Sequence, residues 1–232
     1  TAMVLADKGY IPAVFAAVVR VVSAVRSLVA VENGAVGPHK DCGYEGVYVK
    51  AISGIPISME GKSSACAHLS HVGNIAACLA DLWSNESVQN VRLLGGMAPT
   101  VSMEQLIYDC RLMNEAAARG FNLKLRDLLA DSDSRLDVQA YVLRPDVVLD
   151  ISKELVKAEG HYARSVAAAR LTIDRMKKAA AEGKVSIPER EKDWLDTMEA
   201  QLDTLPQEEE KFIEEMVKEC ESEKFAPAKY DL

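Results

Sequence analysis

Apolar residues in the first half of the chain follow two spacings, one helical and one short and strand-like, and the two alternate. The helical spacing predicts helices over Ala2–Lys8, Ala13–Val25, Tyr44–Ile52, Val72–Trp83 and Met103–Arg119. Short β-branched runs between these helices predict strands at Ser27–Val31, Ile55–Met59 and Val88–Leu94. Alternating strands and helices are typical of a parallel α/β unit.

The pattern changes near Phe121, after which the spacing is helical apart from the ambiguous run Ala140–Leu143. A few parallel strands do not close a domain, because such a sheet needs both faces covered and its edges shielded. We therefore predict an α/β fold: the C-terminal part of a (β/α)8 TIM-type barrel with about three parallel strands over residues 1–120, followed by an all-helical C-terminal region over residues 121–232. The strands that complete the barrel would precede Thr1.

Composition narrows the function classes. The formal net charge of -8 argues against nucleic-acid binding, which needs clustered positive charge. The longest apolar run, Ile11 to Val31, contains Arg20 and Arg26, so we expect no membrane span. The chain has 5 cysteines, an odd number, and they are widely spread; together with the lack of a visible signal peptide, this predicts a reducing, cytoplasmic location.

Two candidate site residues lie in the segments that follow predicted strands. Parallel α/β proteins carry their functional groups in such segments. Cys42 lies in the glycine-flanked passage Lys-Asp-Cys-Gly-Tyr-Glu. It could be a small buried thiol, a zinc ligand or a nucleophile. Glu60 comes directly after Ile55–Met59 and could be a ligand, an acid or base, or an ion-pair partner of Lys62.

A second possible metal site is the sequence Cys66-Ala-His68-Leu-Ser-His71. Its residue types suit zinc, but its spacing is not one of the standard zinc-finger spacings. The remaining cysteines, Cys78, Cys110 and Cys220, fall on apolar helical faces and are predicted to lie in the core.

Long stretches of this chain resemble one enzyme family. They are S-L-V-A-V-E-N-G-A-V-G-P-H-K-D-C-G-Y-E, V-K-A-I-S-G-I-P-I-S-M-E-G-K-S-S-A-C-A-H, L-W-S-N-E-S-V and Y-D-C-R-L-M-N. They closely resemble the zinc subunit of methanol:corrinoid methyltransferases, which passes the methyl group of methanol to a cobalamin on a partner subunit. The resemblance runs along most of the chain and is weaker after about Gly120.

The resemblance implies a barrel with a zinc held by one glutamate and two cysteines. Only one of these ligands maps onto this sequence, and it is Cys42; the others would lie upstream of Thr1. By position alone, Asp41, Tyr44 and Glu45 are candidates to hold Cys42 in place. Glu60 is a candidate to line the methanol pocket.

Three hypotheses follow. In the first, the chain is the C-terminal portion of the zinc subunit, inactive without the N-terminal half or a full-length copy, and it assembles as a homo- or hetero-oligomer with a corrinoid protein to use methanol. In the second, it is a truncated, non-catalytic relative that serves as an assembly or binding partner. In the third, it is a self-contained enzyme that uses Cys66, His68 and His71.

Overall fold

The computed structural model describes residues 2–35, 39–41, 44–59, 61–67, 71–84, 99–220 and 224–230. The helices of this part are α1 (Ala2–Asp7), α2 (Ala13–Glu32), α3 (Gly46–Ser53), α4 (Lys62–Ala67), α5 (Gly73–Ala76), α6 (Pro99–Ala118), α7 (Asn122–Ser134), α8 (Val138–Tyr141), α9 (Pro145–Leu155), α10 (His161–Ala181), α11 (Glu189–Asp203) and α12 (Glu209–Glu219). Helix α5 continues directly as a π-helix over Ala77–Ser84, and a short 3-10 helix covers Pro227–Lys229. The strands are β1 (His39–Asp41) and β2 (Ile57–Met59).

The prediction of an α/β barrel portion is wrong. Within the described ranges, the only strands are β1 and β2, each three residues long, and the rest of the regular structure is helical. The two strands pair in parallel, with His39 opposite Ile57 and Asp41 opposite Met59. Helix α3 connects them. The described part is therefore a helical assembly that carries one short parallel ladder.

The predicted strand Ser27–Val31 is also wrong, because it is the last part of α2. Its residues are apolar and β-branched, which favours a strand locally. However, the buried positions of α2 include 14, 17, 18, 21, 24, 25 and 28, a helical spacing that runs on without a break. Packing of this continuous face outweighs the local propensity.

The other boundaries follow the sequence more closely. Gly9 follows α1 and Gly54 follows α3, both with positive φ, as expected of glycines that end helices. Strand β2 is confirmed in a shorter form, whereas β1 forms where no strand was predicted. The predicted strand Val88–Leu94 lies outside the described residues.

Helix α2 lies at the centre of the core. It contacts α1, α3, α8, α10 and α11. By length and composition it could cross a membrane, but 56% of its most apolar window is buried inside the protein. Both Arg20 and Arg26 lie within this helix, which extends beyond the predicted end at Val25 to Glu32. The core joins residues from both sides of position 120, and a division of the chain there stays a prediction.

Candidate functional site

The carboxyl ends of β1 and β2 lie side by side at one edge of the ladder. The last residues of the strands, Asp41 and Met59, are opposite each other in register. The residues that follow them in the sequence are Cys42 and Glu60, the two candidates for zinc and methanol binding. Both lie outside the described residues, as do the side-chain contacts of Asp41, so their roles stay predictions.

Tyr44 is the first described residue after Cys42, and its backbone is unusual. Its φ of 63° is positive, which is uncommon for a bulky residue and typical of constrained functional loops. The side chain is only 1% exposed. Its ring lies 5.6 Å from the guanidinium carbon of Arg20, and its hydroxyl donates a hydrogen bond to the carbonyl oxygen of Gly61 at 3.3 Å. Tyr44 therefore connects the segment after Cys42 to the segment after Glu60.

Glu45 is likewise buried, at 7% exposure, just before α3. Arg26 of α2 places a guanidinium nitrogen 3.5 Å from a Glu45 carboxylate oxygen. A carboxylate at a helix N-terminus also interacts favourably with the helix dipole. Glu45 thus helps to hold the start of α3 against α2, next to the predicted site.

Asp81, on the π-helix, was missed by the sequence reasoning. Its carboxylate accepts a hydrogen bond from the backbone N–H of Lys62 at 2.8 Å. Burial raises the pKa of Asp81, the hydrogen bond from Lys62 opposes the shift, and the nearby charge of Asp109 adds to it. An acidic residue within the small, apolar run Ala76–Leu82 was the available signal, because buried carboxylates require partners.

Lys62 pairs with a residue far along the chain. Its ammonium nitrogen lies 2.6 Å from a carboxylate oxygen of Asp109 on α6. Both side chains are partly buried, at 26% and 18% exposure. This ion pair joins the start of α4 to α6.

The second predicted metal site stays a prediction, because only one of its three side chains, that of His71, is described. His68 and the side chain of Cys66 lie outside the described residues, and His71 is exposed. His71 lines a cavity of about 170 Å³ with Asp137 and Gln139. Among the described residues, no group of three or more His, Cys, Asp or Glu side chains could hold a metal ion.

The remaining cysteines divide into buried and exposed thiols. Cys78 is buried, as predicted, and lines a cavity of about 600 Å³. Burial raises the pKa of its thiol to about 11, so the thiol stays protonated at neutral pH. Cys110 and Cys220 are exposed, so their predicted core positions are wrong.

The chain is similar in sequence to proteins that transfer methyl groups from methanol to a corrinoid. The sequence profile of the family described as Methanol-cobalamin methyltransferase B subunit matches residues 1–231. A methanol–corrinoid protein co-methyltransferase from Methanosarcina barkeri (strain Fusaro / DSM 804) is 41% identical over 218 residues, which cover 93% of this chain and 47% of that protein.

A solved structure agrees with these sequence matches. The crystal structure of the methanol:cobalamin methyltransferase complex MtaBC from Methanosarcina barkeri contains a chain that superposes with a TM-score of 0.80 at 40% identity. The match covers 96% of this chain and 49% of that one. The chain therefore spans about half the length of the relatives it matches.

Proposed function

Because this chain belongs to the methanol-cobalamin methyltransferase B subunit family, we propose that it takes part in transfer of the methyl group of methanol to a corrinoid protein. The observation that carries the proposal is the match of residues 1–231 to the family. The names of the similar proteins, which refer to methanol, corrinoid and cobalamin, identify the substrate and acceptor class. Since the chain spans about half of those proteins, we expect it to act within a larger assembly.

Zinc is the metal we propose for this site, with Cys42 as one ligand. Thiolate and carboxylate groups are ordinary zinc ligands, and Cys42 and Glu60 follow strand ends that lie opposite each other. A catalytic zinc takes three protein ligands, so at least part of the set must come from residues other than the described ones. Zinc supplies a Lewis acid that weakens the methanol C–O bond when the ion is bound.

The residues of this chain would hold the zinc ligands in place and keep water away from the bound methanol. Tyr44 and Glu45 fix the backbone that follows Cys42, through Gly61 and Arg26 respectively. Glu60 would line the methanol pocket, and Asp41 would support Cys42. A cytoplasmic location and a homo- or hetero-oligomeric assembly with the corrinoid protein belong to the same proposal.

Two measurements test this function, both on this chain purified together with the subunits that it assembles with. The first is zinc content in the wild type, in Cys42→Ser and in Cys78→Ser, a control that removes a different thiol, on the π-helix. We expect Cys42→Ser to lose zinc and Cys78→Ser to keep it. Stoichiometric zinc that survives Cys42→Ser would reject the metal assignment.

The second measurement is methanol-dependent methylation of an added corrinoid protein, followed by the visible spectrum of the corrinoid. We expect transfer by the zinc-loaded assembly and its loss in Cys42→Ser. Stable binding of the corrinoid protein without any transfer would instead favour the non-catalytic role. Full transfer by this chain alone would refute the requirement for further ligands.

A further inference from the structure

The cavity of about 600 Å³ that Cys78 lines has no part in the proposed methyl transfer. Residues of α3, the π-helix, α6, α7 and α9 form its wall. Helices α6 and α7 contact the π-helix, α3 contacts α9, and the cavity lies between these two groups. Imperfect packing leaves voids little larger than a water molecule, whereas small-molecule sites measure about 300–1,000 Å³. The cavity therefore has the size of a ligand site.

Most of the cavity wall is apolar. Val47, Leu79 and Val148 line it and are buried. Leu123 and Leu149 also line it, but they are 59% and 52% exposed, which places them where the cavity opens to solvent. A ligand with an apolar body would remove the surface of these two leucines from water, and the release of that water favours binding.

The thiol of Cys78 belongs to this apolar wall. It is buried, and its sulfur donates a hydrogen bond to the carbonyl oxygen of Arg126 at 3.9 Å. Because burial keeps the thiol protonated at neutral pH, it is a poor nucleophile and a poor metal ligand. A neutral thiol with a hydrogen-bond partner behaves as a small apolar group. The cavity is therefore suited to reversible binding and not to covalent chemistry at Cys78.

The charges around the cavity have one sign. Among its described lining residues, the charged ones are Lys50 and Arg126, both basic, although the chain as a whole has a formal net charge of -8. Asn122 adds an amide to the same wall. Arg126 pairs with Asp127 at 2.7 Å, but both side chains of this pair are exposed, and such pairs contribute little free energy. An anion on a ligand can therefore compete for the guanidinium group.

We propose that this cavity binds a small organic anion of the fatty-acid type, with its alkyl chain against the apolar wall and its carboxylate near Lys50 and Arg126. A guanidinium group presents a planar set of donors that matches the two oxygens of a carboxylate. The solvent-exposed leucines at the opening keep the charged end of the ligand near water while its chain is covered. This site goes beyond the proposed methyl transfer and uses none of the residues proposed for it.

Three probes with the same eight-carbon chain separate the apolar and the charged contributions. Octanoate, 1-octanol and octylamine are each titrated into the full chain at pH 7, and binding is measured by isothermal titration calorimetry. We expect octanoate to bind about tenfold more tightly than 1-octanol, because the carboxylate gains charge-assisted hydrogen bonds, and octylamine to bind most weakly. No binding of octanoate, or equal affinities of the three probes, would overturn the proposal.

Substitutions assign this binding to the cavity. Ala51 lines the cavity at an exposed position of α3, so Ala51→Trp should fill part of the space and weaken octanoate binding more than about tenfold. Ala163→Trp, at an exposed position of α10, is the matched control and should leave the affinity unchanged. Circular dichroism verifies that both variants fold. Equal affinities of the two variants would place the bound octanoate elsewhere and overturn the site.

The basic residues are tested separately. Arg126→Gln and Lys50→Gln should each weaken octanoate binding about fivefold and leave 1-octanol binding unchanged, because only the anion uses their charge. Arg119→Gln is the matched control, since Arg119 is an exposed arginine that also pairs with a neighbouring acid, Glu115. If Ala51→Trp does not fold, these variants carry the test. Octanoate binding that none of them changes, or that all three change equally, would overturn the role of Lys50 and Arg126.

The same titration on the assembled protein distinguishes a ligand site from a subunit contact. We expect octanoate to bind with the same affinity when this chain is purified together with the subunits that it assembles with. Binding to the chain alone that disappears in the assembly would mean that a subunit covers the opening, and it would overturn the ligand site. Methyl transfer does not enter any of these measurements, so the two proposals fail separately.

Discussion

The hydroxyl of Tyr44 donates a hydrogen bond to the carbonyl oxygen of Gly61, 17 positions away, at 3.3 Å. These residues follow the ends of the two parallel strands by a few positions each. The bond therefore closes a link between two segments that the ladder itself no longer pairs. It gives the unusual backbone of Tyr44 a structural reason, because the positive φ is maintained where the side chain has fixed partners.

Removing this hydroxyl should cost stability while leaving the packing of the ring intact. We expect Tyr44→Phe to lower the free energy of unfolding by about 1 kcal/mol. The ring keeps its contact with Arg20, so the loss reports the hydrogen bond. Urea unfolding measures it, with Tyr10→Phe, at a side chain 75% exposed, as the control. Equal effects of the two changes would contradict the role of this bond.

The close approach of Asp81 to Gly61 predicts strong coupling between the two positions. Gly61→Ala alone should destabilise the protein by about 1–3 kcal/mol, because the new Cβ meets the carboxylate. In an Asp81→Ala background the same change should cost much less. A double-mutant cycle measured by urea unfolding gives the interaction energy. Additive effects would show that the carboxylate is not what excludes the side chain.

Asp81 should also make stability depend on pH. Its folded-state pKa is raised, chiefly by burial, so its protonated form stabilises the fold below the ordinary aspartate pKa. That contribution is lost as the pH rises through the raised value. Asp81→Asn does not ionise, so its stability relative to the wild type should increase over this rise in pH. Urea midpoints from about pH 4 to pH 7 measure the difference.

An exposed carboxylate provides the control for the pH dependence of Asp81→Asn. Asp150→Asn, on the exposed side of α9, changes the same chemical group without removing a buried one. Its difference from the wild type should not follow the trend of Asp81→Asn. A wild type that gains stability relative to Asp81→Asn as the pH rises would refute the sign of the shift.

Tyr48 should stabilise the fold at neutral pH and destabilise it in alkali. It is completely buried, and its hydroxyl donates to the carbonyl oxygen of Val142. Burial raises its pKa well above the usual value, with Arg20 opposing this effect. The contribution is therefore present below about pH 10, the pKa of an exposed tyrosine, and is lost above it.

Tyr48→Phe tests both halves of this statement. At pH 7 it should cost about 1–2 kcal/mol, since the Val142 carbonyl loses its donor. Above about pH 10 the cost should shrink, because phenylalanine does not ionise on unfolding. Ultraviolet absorbance of tyrosinate should show one fewer late-titrating group in the variant. A cost that is independent of pH would contradict the raised pKa.

Local signals in the sequence predicted local features well. Gly9 and Gly54 follow their helices with positive φ, a left-handed conformation that glycine adopts at little cost in free energy. The stretch Ser27–Val31 was misread because its strand propensity is a weak local term, and the buried face that overrides it depends on distant helices. The sequence does not predict strand β1, because His-Lys-Asp lacks the apolar and β-branched residues that indicate strands.

In the candidate site, too, local features could be predicted from the sequence, whereas contacts between distant residues could not. Positions in or next to the loops after predicted strands single out Cys42 and Glu60, whose roles stay predictions because both lie outside the described residues. Asp81 could not be found from spacing, because its partner Lys62 is 19 positions away and the contact is made through the backbone. The close pairing of Gly61 with Asp81 likewise depends on how the π-helix packs against the ladder.

The central helix α2 also has a consequence during synthesis of the protein. Its covering helix α10 comes much later in the chain, as the ion pair between Glu32 and Arg164, 132 positions apart, illustrates. At about 5–20 residues per second, a ribosome needs about 7 to 26 seconds to make the 132 residues between them. For that time a helix of membrane-like apolarity has no cover from α10. We therefore expect nascent chains that end before His161 to bind chaperones and to aggregate when chaperones are absent.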